Sequence, residues 1–547
     1  MTNYRTPDVY TEEVSTLPQS VAEVSTAVPA FIGHTEKASL DGKDVSGSAV
    51  RISNFLEFKE IFGGYKPAAE ISIEVAPSDE SIQDVTITPP NSTLYYAVDF
   101  YFRNGGGACY IVSIGDFSDT YTQNSFINGL NALSKEDEPT LIVLSEATKL
   151  ESASDYYQVC IAALAQCEKL KDRFCIFDVL QDDTDAQGFR DGIGMNNLKY
   201  GAAYTPYLQT SLNYQYKDEE VSISGLEGLG AFTHDGNGIR ISYTNSTGSP
   251  GFVINEGAAG DPITFSIDGE QLTIQLPEGG ATPTDLVTAW DTFEAGNDPG
   301  FFDIELSGDP GSNIGTTAQT ALTQEQAESV TLAEIKNDRT ALYAKIGSEL
   351  AKRRIILPPG PGVAGIYATT DRQRGVWKAP ANISLNAVIA PTVKITSADQ
   401  EQLNVDANAG KSVNAIRSFT GKGTIVWGAR TLAGNDNEWR YISVRRLFNM
   451  IEESTKKASY FAVFESNDAA TWLKVKAMIE SFLYGIWQQG GLAGATEDQA
   501  YFVNIGLGKT MTQQDILEGR MVVEIGIAAT RPAEFIILRF SHKLQES

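Results

Sequence analysis

The negative charge of this chain is concentrated in one continuous stretch. Residues 218–335 hold 20 acidic residues and one basic residue, Arg240, so this stretch carries −19 of the net charge of −28 that the 547 residues have together. Turn-forming groups recur within it, at 248–251, 278–280 and 297–300. This combination is typical of a separate module that faces water.

Short segments of the acidic stretch alternate between apolar and polar residues, which is the pattern of half-buried strands. They are Ile239–Tyr243, Ile263–Ile267 and Leu272–Leu276, and Asp268-Gly269 between the last two is a hairpin signal. We therefore predict that residues 213–330 form a small acidic β domain inserted into a larger domain. An ordinary surface insertion without a specific role is the alternative.

The pattern before the insert is one of alternating strands and helices. Short apolar runs at 108–114, 140–144 and 174–179 predict strands. Between the last two runs, apolar residues recur on one helical face from Tyr156 to Leu170. Strand, helix and strand in this order indicate a parallel or mixed α/β layer.

The apolar residues that follow the insert predict another helix. They run from Leu332 to Leu350 at helical spacing, and we expect this helix to pack back on the α/β layer. Residues 25–212 and 331–364 are therefore predicted to form one α/β domain that the insert interrupts.

The last third of the chain predicts a second domain, of the α+β type, over residues 365–520. One amphipathic helix covers Val444 to Ile451, and another covers Trp472 to Ile486, where Asn467 or Asp468 can cap its start. The fold class is thus mixed α/β. The strand candidates of this part are Tyr460–Glu465, Tyr501–Ile505, Met521–Ile527 and Phe535–Phe540. The last two belong to a separate C-terminal arm over residues 521–547.

Composition argues against several classes of partner. The net charge of −28 disfavours nucleic acid, since phosphate binding needs a concentrated basic face. No window approaches about 18 uninterrupted apolar residues, so no membrane insertion is expected. Residues 1–14 are acidic and lack the apolar core of a signal peptide, which predicts synthesis in the cytoplasm.

Cysteine and histidine usage predicts neither a metal site nor a cofactor. Four cysteines lie in apolar runs without a C-x-x-C pair, which indicates buried free thiols. Three histidines, far apart in sequence, form no metal-binding motif. The residues concerned are Cys109, Cys160, Cys167, Cys175, His34, His234 and His542.

An enzymatic function has one formal signal. Gly360–Gly365 matches the G-x-G-x-x-G pattern of dinucleotide-binding loops, but Pro358 and Pro359 separate it from any strand. Asp371 with Arg372 and Arg374 could be a catalytic acid beside basic anchors, although an ion-paired turn at an interface fits the pattern better. We therefore predict no enzymatic activity and no catalytic residues.

Both ends of the chain predict assembly. Val9–Val14 is a short extended segment rich in β-branched and aromatic residues, within a terminal arm over 1–24 that is too isolated to fold on itself. An unpaired strand of this kind needs a sheet edge. Pro18 and Pro532 lie in segments of small and polar residues that we predict to be hinges.

A set of motifs in a fixed order identifies a family resemblance. Together with the first 38 residues, in which Asp8 stands where the family commonly has glycine, these motifs resemble the contractile tail sheath proteins of phages and phage-tail-like injection particles. The motifs are Leu357–Asn382 (LPPGPGVAGIYATTDRQRGVWKAPAN), Trp427–Leu432, Asn467-Asp468, Gly490–Thr496 and Arg531–Phe535.

The resemblance implies a function in assembly and movement. A sheath subunit polymerises as stacked hexameric rings around an inner tube in a metastable extended state, and contraction drives the tube through a target envelope. The implied partners are further copies of the chain, the inner tube, and baseplate and terminator or cap proteins. The particle would be assembled in the cytoplasm and could be released outside the cell.

The resemblance also implies roles for particular residues. Both terminal arms would be exchanged with neighbouring subunits, the acidic insert would lie on the outer surface, and Lys474 and Lys476 would contact the tube. A nucleotide- or sugar-handling enzyme and a non-contracting tube or baseplate protein are the alternatives. The predicted strand-exchange residues are Val9, Tyr10, Thr11, Glu12, Glu13, Val14, Val522, Val523, Ile525, Phe535 and Ile537.

Overall fold

The computed structural model describes residues 21–76, 79–226, 231–245, 248–308, 313–324, 329–406 and 408–539. The strands are β1 Pro29–Gly33, β2 Ser39–Leu40, β3 Lys43–Asp44, β4 Ala49–Ile52, β5 Glu70–Val75, β6 Ile82–Thr88, β7 Cys109–Ser113, β8 Leu141–Val143, β9 Phe174–Asp178, β10 Gly201–Thr205, β11 Leu208–Asn213, β12 Val221–Ser224, β13 Phe232–Gly236, β14 Ile239–Tyr243, β15 Gly251–Glu256, β16 Thr264–Asp268, β17 Gln271–Leu276, β18 Phe302–Leu306, β19 Thr317–Ala321, β20 Thr323–Gln324, β21 Val330–Thr331, β22 Arg354–Leu357, β23 Ile383–Ser384, β24 Val388–Pro391, β25 Asn414–Phe419, β26 Gly423–Val426, β27 Tyr501–Ile505 and β28 Val523–Ile527. The α-helices are α1 Phe55–Phe62, α2 Leu94–Arg103, α3 Gln123–Leu133, α4 Ala153–Leu170, α5 Gln187–Gly192, α6 Pro283–Gly296, α7 Leu332–Ile335, α8 Thr340–Leu350, α9 Gly360–Arg374, α10 Ser397–Asn404, α11 Ile442–Ala458, α12 Ala469–Gln488, α13 Glu497–Ala500 and α14 Gln513–Leu517.

The described residues fall into two compact units. Unit 1 takes those within 1–66, 91–212 and 354–547, and unit 2 takes those within 67–90 and 213–353. Helices and strands occur in both units, which confirms the predicted mixed α/β class.

A nine-stranded sheet organises unit 1. Its strand order is β23-β26-β25-β10-β9-β8-β1-β7-β4, and the pairs from β7 through β25 are parallel. The strands β1, β7 and β9 are buried along their whole length, as expected for a parallel sheet covered on both faces. The predicted strands at 108–114, 140–144 and 174–179 are confirmed as β7, β8 and β9. The four cysteines are buried free thiols, also as predicted.

The sheet of unit 1 corrects one predicted boundary. β25 pairs in parallel with β10, and β26 and β23 extend the same sheet. The sheet therefore crosses residue 365, where the sequence predicted a new domain to begin. Local patterns did not reveal this, because the pairing joins Tyr204 to Asn414 across 210 positions of the chain.

Unit 2 is larger than the predicted insert. The sheet β21-β12-β5-β6 includes two strands from before the insert, and β5 pairs in parallel with β12. Leu332 and Leu350 belong to two helices, α7 and α8, whose apolar residues pack with this sheet. The prediction that they pack on the α/β layer is therefore wrong, and residues 331–353 belong to unit 2. Local periodicity identified the helical residues but carries no information on the partner they bury.

The acidic stretch folds around its own core. Two four-stranded sheets, β18-β14-β13-β20 and β16-β17-β15-β19, share this core with α6, whose Trp290 is fully buried. The antiparallel pair β16–β17 confirms the predicted hairpin at Asp268-Gly269. Acidic side chains of this module face solvent: Asp268, Glu294 and Asp298 are exposed.

Helix α9 contains the glycines of the G-x-G-x-x-G match, and they serve close packing. A Cβ added at Gly365 would lie 2.8 Å from the backbone oxygen of Tyr101 and 2.7 Å from Cβ of Asn104, both in or next to α2. At Gly362 it would lie 2.4 Å from the ring of Phe100. The two helices thus approach so closely that only glycine fits.

Replacing Gly365 by alanine is expected to destabilise unit 1 by about 1–3 kcal/mol, because backbone cannot move aside as a flexible side chain would. Gly485 in α12 is the matched control, since a Cβ added there would have no neighbouring atom within 4 Å. There the same substitution should stabilise by about 0.5–1 kcal/mol through helix propensity. Urea-dependent hydrogen exchange of α9 and α12 peptides measures the change in the free energy of opening for each variant. A change of the same sign for Gly365→Ala and Gly485→Ala would contradict the close packing of α9 on α2.

The last part of unit 1 contains α11, α12 and a two-stranded sheet. Asp468 caps α12, accepting hydrogen bonds from the backbone of Ala470 and Thr471, as predicted. The predicted strand Tyr460–Glu465 is wrong: residues 459–462 form a 3₁₀ turn, and Phe464 has a φ of +68°. Residues 460–465 have no neighbouring strand with which to form a sheet, and most of their large apolar side chains remain exposed.

Candidate assembly site at the two ends of the chain

The described part of the N-terminal segment begins at Val21. Val21 and Val24 pack against the core that α11, α12 and β27 share, and the Val24 backbone N–H donates to Ser454 Oγ at 3.2 Å. Pro18 and the predicted strand-exchange residues of 9–14 lie outside the described residues. The structure thus shows where this segment enters the folded unit.

A buried ion pair fixes the segment at Thr26. Arg446 of α11 donates to both carboxylate oxygens of Asp371, at 3.0 and 2.5 Å, and their side chains are 3% and 6% exposed. Arg446 also donates to the Thr26 carbonyl at 2.8 Å, and the Thr26 hydroxyl donates to Asp371 at 2.6 Å. The prediction of an ion-paired turn of Asp371 with Arg372 and Arg374 is therefore wrong, because Asp371 pairs with an arginine 75 residues further on. We call Thr26, Asp371 and Arg446 the N-terminal clasp.

A cavity lies beside the N-terminal clasp. It measures about 420 Å³ and is lined by residues 24–26, the loop at 136–140 and the buried face of α11. The N-terminal segment thus borders open space on one side. On its other side it is held by the N-terminal clasp, by the hydrogen bond from Val24 to Ser454 and by the packing of Val21 and Val24.

The strands β27 and β28 form a small antiparallel sheet. Val523 pairs with Ile505 and Ile525 pairs with Val503. Val522 precedes β28, is 41% exposed, and accepts a hydrogen bond at its carbonyl from Thr510. Within the described residues neither strand has a second neighbour, so both outer edges keep unpaired backbone groups.

The chain beyond β28 is tied down as far as Glu534. Arg430, whose side chain is 5% exposed, donates to both Glu534 oxygens at 2.8–3.1 Å. Asn404 donates to the same carboxylate at 2.9 Å and Tyr441 at 3.2 Å. We call these four residues the C-terminal clasp. Burial alone would raise the pKa of Glu534, but these hydrogen bonds hold it below its usual value.

The predicted hinge at Pro532 lies between two attached residues. Arg531 donates to the Asn437 carbonyl at 2.6 Å, and Glu534 belongs to the C-terminal clasp. Phe535, Ile536, Ile537 and Leu538 follow immediately and are 70–80% exposed. We call residues 535–538 the apolar run. It forms no strand with any described residue, although its composition is that of a strand.

The predicted tube-contact residues lie on α12. Lys474 is exposed, and Lys476 is half-buried with its Nζ 3.4 Å from Glu480 Oε1. The structure thus places both lysines on one helix and leaves Lys474 the more exposed.

Several clasp residues stand in the family motifs, although the sequence alone assigned them no role in holding the arms. Arg430 and Glu534 stand in the motifs Trp427–Leu432 and Arg531–Phe535, and Asp371 in Leu357–Asn382. The only sequence signal for the Arg430–Glu534 ion pair was that each residue stands in a family motif. Their pairing required the fold, because 104 residues separate them.

The N-terminus of α9, where a nucleotide phosphate would bind in the enzymatic alternative, holds a carboxylate of the protein itself. The Gly360 backbone N–H donates to Asp178 Oδ1 at 2.5 Å, and the Ser145 hydroxyl donates to Oδ2 at 2.5 Å. Burial raises the pKa of Asp178 to about 7, against the effect of these hydrogen bonds. In the described part of the chain no cluster of three metal-ligating side chains occurs, and no helix has the length and apolar character needed to cross a bilayer.

Comparisons with known proteins concern the C-terminal part of the sequence and the fold as a whole. Residues 434–543 match the family of the phage tail sheath C-terminal domain. The tail sheath protein of Vibrio phage KVP40 is 25% identical over 185 residues, 34% of this chain and 26% of that protein, so the match spans about a quarter of the relative's length.

Two solved structures are similar over the whole chain. One belongs to the baseplate of the anti-feeding prophage, with 26% identity, a TM-score of 0.57, and coverage of 99% of this chain and 100% of the other. The second is the contracted sheath complex of PVC, an extracellular contractile injection system, with 25% identity, a TM-score of 0.54, and coverage of 100% and 99%. The fold and these matches define a protein of the contractile-tail class. Within that class its sequence relatives are tail sheath proteins, which confirms the family resemblance.

Proposed function

We propose that this protein is the structural subunit of a contractile sheath. It polymerises around an inner tube in an extended state, and contraction drives the tube through a target envelope. The observation that carries the proposal is the apolar run, which leaves a firmly attached Glu534 and finds no partner among the described residues. A chain that exposes four consecutive large apolar side chains is built to bury them against another molecule.

Strand exchange between subunits would use both the exposed apolar run and the open edges of the β27–β28 sheet. The apolar run of one subunit adds to an open edge of the β27–β28 sheet in a neighbour, and the N-terminal arm with residues 9–14 adds to another. Main-chain hydrogen bonds contribute about 0.5–1.5 kcal/mol each, and burial of each large apolar side chain about 1.5–3 kcal/mol. A junction of this kind holds neighbours together while their folded units rotate. The hinge of the C-terminal arm then lies after Glu534.

The other partners follow from the same role. Further copies of the chain, the inner tube, and baseplate and cap proteins are the partners, in a phage tail or a tail-like particle. The activity is mechanical and needs no catalysis, in line with an α9 N-terminus filled by Asp178. The acidic module lies on the outer surface of the sheath, where its charges are separated by more than the Debye length of about 8 Å.

Electron microscopy of the purified protein, alone and with its inner tube, tests the proposal. Cylinders or stacked rings are the expected result. Discrete particles of a single size at all concentrations would instead favour a non-polymerising baseplate component, and would overturn the sheath role.

Lys474 and Lys476 provide a test of the tube contact. Reversing both charges with Lys474→Glu and Lys476→Glu is expected to weaken co-sedimentation with the inner tube about tenfold, because close charge pairs across an interface contribute about 1.5 kcal/mol or more. The matched control is Lys422→Glu with Lys509→Glu, two exposed lysines of the same unit. Equal co-sedimentation of both variants would remove these residues from the tube interface.

A further inference from the structure

The anchors of the two terminal segments are joined to one short part of the chain. Arg430 and Tyr441 form an antiparallel bridge, and next to it the Thr431 N–H donates to the Arg440 carbonyl at 2.8 Å and the Ile442 N–H to the Ala429 carbonyl at 3.1 Å. This ladder is fixed to the nine-stranded sheet, since Leu432 N–H donates to the Gly201 carbonyl at 2.8 Å. The ladder at 429–442 is therefore attached to the nine-stranded sheet of unit 1.

Tyr441 stands at the junction of the two clasps. Its hydroxyl donates to Glu534 of the C-terminal clasp, and the residue is the N-cap of α11. Arg446 of the N-terminal clasp lies on α11 five positions further along, little more than one helical turn. The base of each arm is thus held by an arginine, and a single ladder and helix turn connect the two.

We propose that Arg430 and Glu534 are positioning residues that set where and in which direction the donated C-terminal strand leaves the subunit. This inference rests on the proposed function, since it concerns how an exchanged strand is held at its base. Tyr441 and the first turns of α11 connect this anchor to the N-terminal clasp.

The geometry favours a positioning role over general stabilisation. Glu534 follows the last strand of the unit, and its partners come from three separated parts of the chain, at 404, 430 and 441. The next four residues are 70–80% exposed and so contribute little buried surface to the unit. Losing the ion pair therefore releases the base of the arm while the core of unit 1 stays intact.

Spin labelling of the full-length protein tests the anchor directly. The four native cysteines are fully buried, so labels on Ile536→Cys and on an exposed reference site, Lys422→Cys, are selective. In the wild-type background the distance distribution between the labels is expected to be narrow. With Glu534→Gln it should broaden at least about twofold, because charge-assisted hydrogen bonds worth a factor of about ten or more in equilibrium are lost.

Glu138→Gln is the matched control. Glu138 also pairs with an arginine, Arg51, at 2.9 Å and accepts from a tyrosine, Tyr110, at 2.8 Å. It borders the cavity beside residues 24–26, but neither of these partners belongs to the C-terminal clasp. It should leave the distribution unchanged. A second control for pairing is the Arg430→Met, Glu534→Gln double variant, which should broaden the distribution no more than either single change, as for residues that act as one unit.

Assembly with the inner tube gives the functional readout. Glu534→Gln should form about tenfold fewer cylinders than the Glu138→Gln protein at the same concentration. An unchanged label distribution overturns the anchor, and a broadened distribution with normal cylinders overturns its role in assembly. A wild-type protein that forms no cylinders refutes the proposed sheath function instead, while the labelling result still decides whether the anchor exists.

Discussion

A chain that ends at Glu534 is expected to fold normally and to form no cylinders. It keeps every residue of the C-terminal clasp and of the β27–β28 sheet, so the folded unit loses little buried surface among the described residues. It lacks the apolar run, whose four side chains are 70–80% exposed. Each would contribute about 1.5–3 kcal/mol on burial against a neighbour, so every junction in the polymer loses several kcal/mol.

The measurement combines assembly with a check on folding. Negative-stain microscopy counts cylinders, and thermal unfolding of the free protein should give the same midpoint as the full chain within experimental error. Leu517→Ser is a suitable control, because Leu517 is 78% exposed on α14 and equally apolar, but lies outside both arms. Normal cylinders from the truncated chain would show that the apolar run is not an exchanged strand.

Local sequence patterns predicted those elements whose signal is contained in a few residues. The buried run Phe174–Asp178, the alternating strand Ile239–Tyr243 and the Asp468 cap of α12 are each present as expected. Each is specified by burial, periodicity or capping within about 20 positions. The family motifs extended this success to the class of protein.

Long-range pairings were beyond local patterns. Ile71 of β5 pairs with Val221 of β12, which draws residues 67–90 into unit 2. Nothing near either residue indicates a partner so far along the chain. The same holds for Arg430 with Glu534 and for Arg446 with Asp371, where charge in a motif was visible but its partner was not.

Two strand predictions in the last part of the chain rest on apolar composition. Tyr460–Glu465 is not a strand, so that prediction is wrong. The second run, Phe535–Phe540, was predicted to pair with a neighbouring subunit and stays a prediction, since its described residues 535–539 pair with no described strand. A strand is stable only beside another strand, so composition predicts the capacity to pair and the environment decides whether pairing occurs. For the second run, a neighbouring copy of the chain would supply the missing edge.

Replacing Arg446 by methionine is expected to cost about 3–5 kcal/mol of stability in unit 1, because the change leaves the Asp371 carboxylate buried without its counter-ion. Asp371 is 6% exposed and would retain only the Thr26 hydroxyl of its present N-terminal clasp partners. Arg103→Met is the matched control: its pair with Asp99 lies on the surface, with Arg103 52% exposed, and should cost less than about 1 kcal/mol.

The arginine replacement can destabilise unit 1 in two ways, by leaving the Asp371 carboxylate buried without a counter-ion or by removing hydrogen bonds, and a double variant distinguishes them. Urea-dependent hydrogen exchange of α11 peptides reports on unit 1 alone and gives the change in the free energy of opening. Adding Asp371→Asn to the Arg446→Met variant removes the stranded charge and should restore part of the loss, since the two residues act as a pair. The double variant would still free the Thr26 carbonyl from its hydrogen bond to Arg446. If the double variant recovers stability but forms no cylinders, the N-terminal clasp serves to hold the N-terminal segment for assembly. If Arg446→Met and Arg103→Met lose the same free energy of opening, the buried ion pair stabilises the fold no more than a surface pair does.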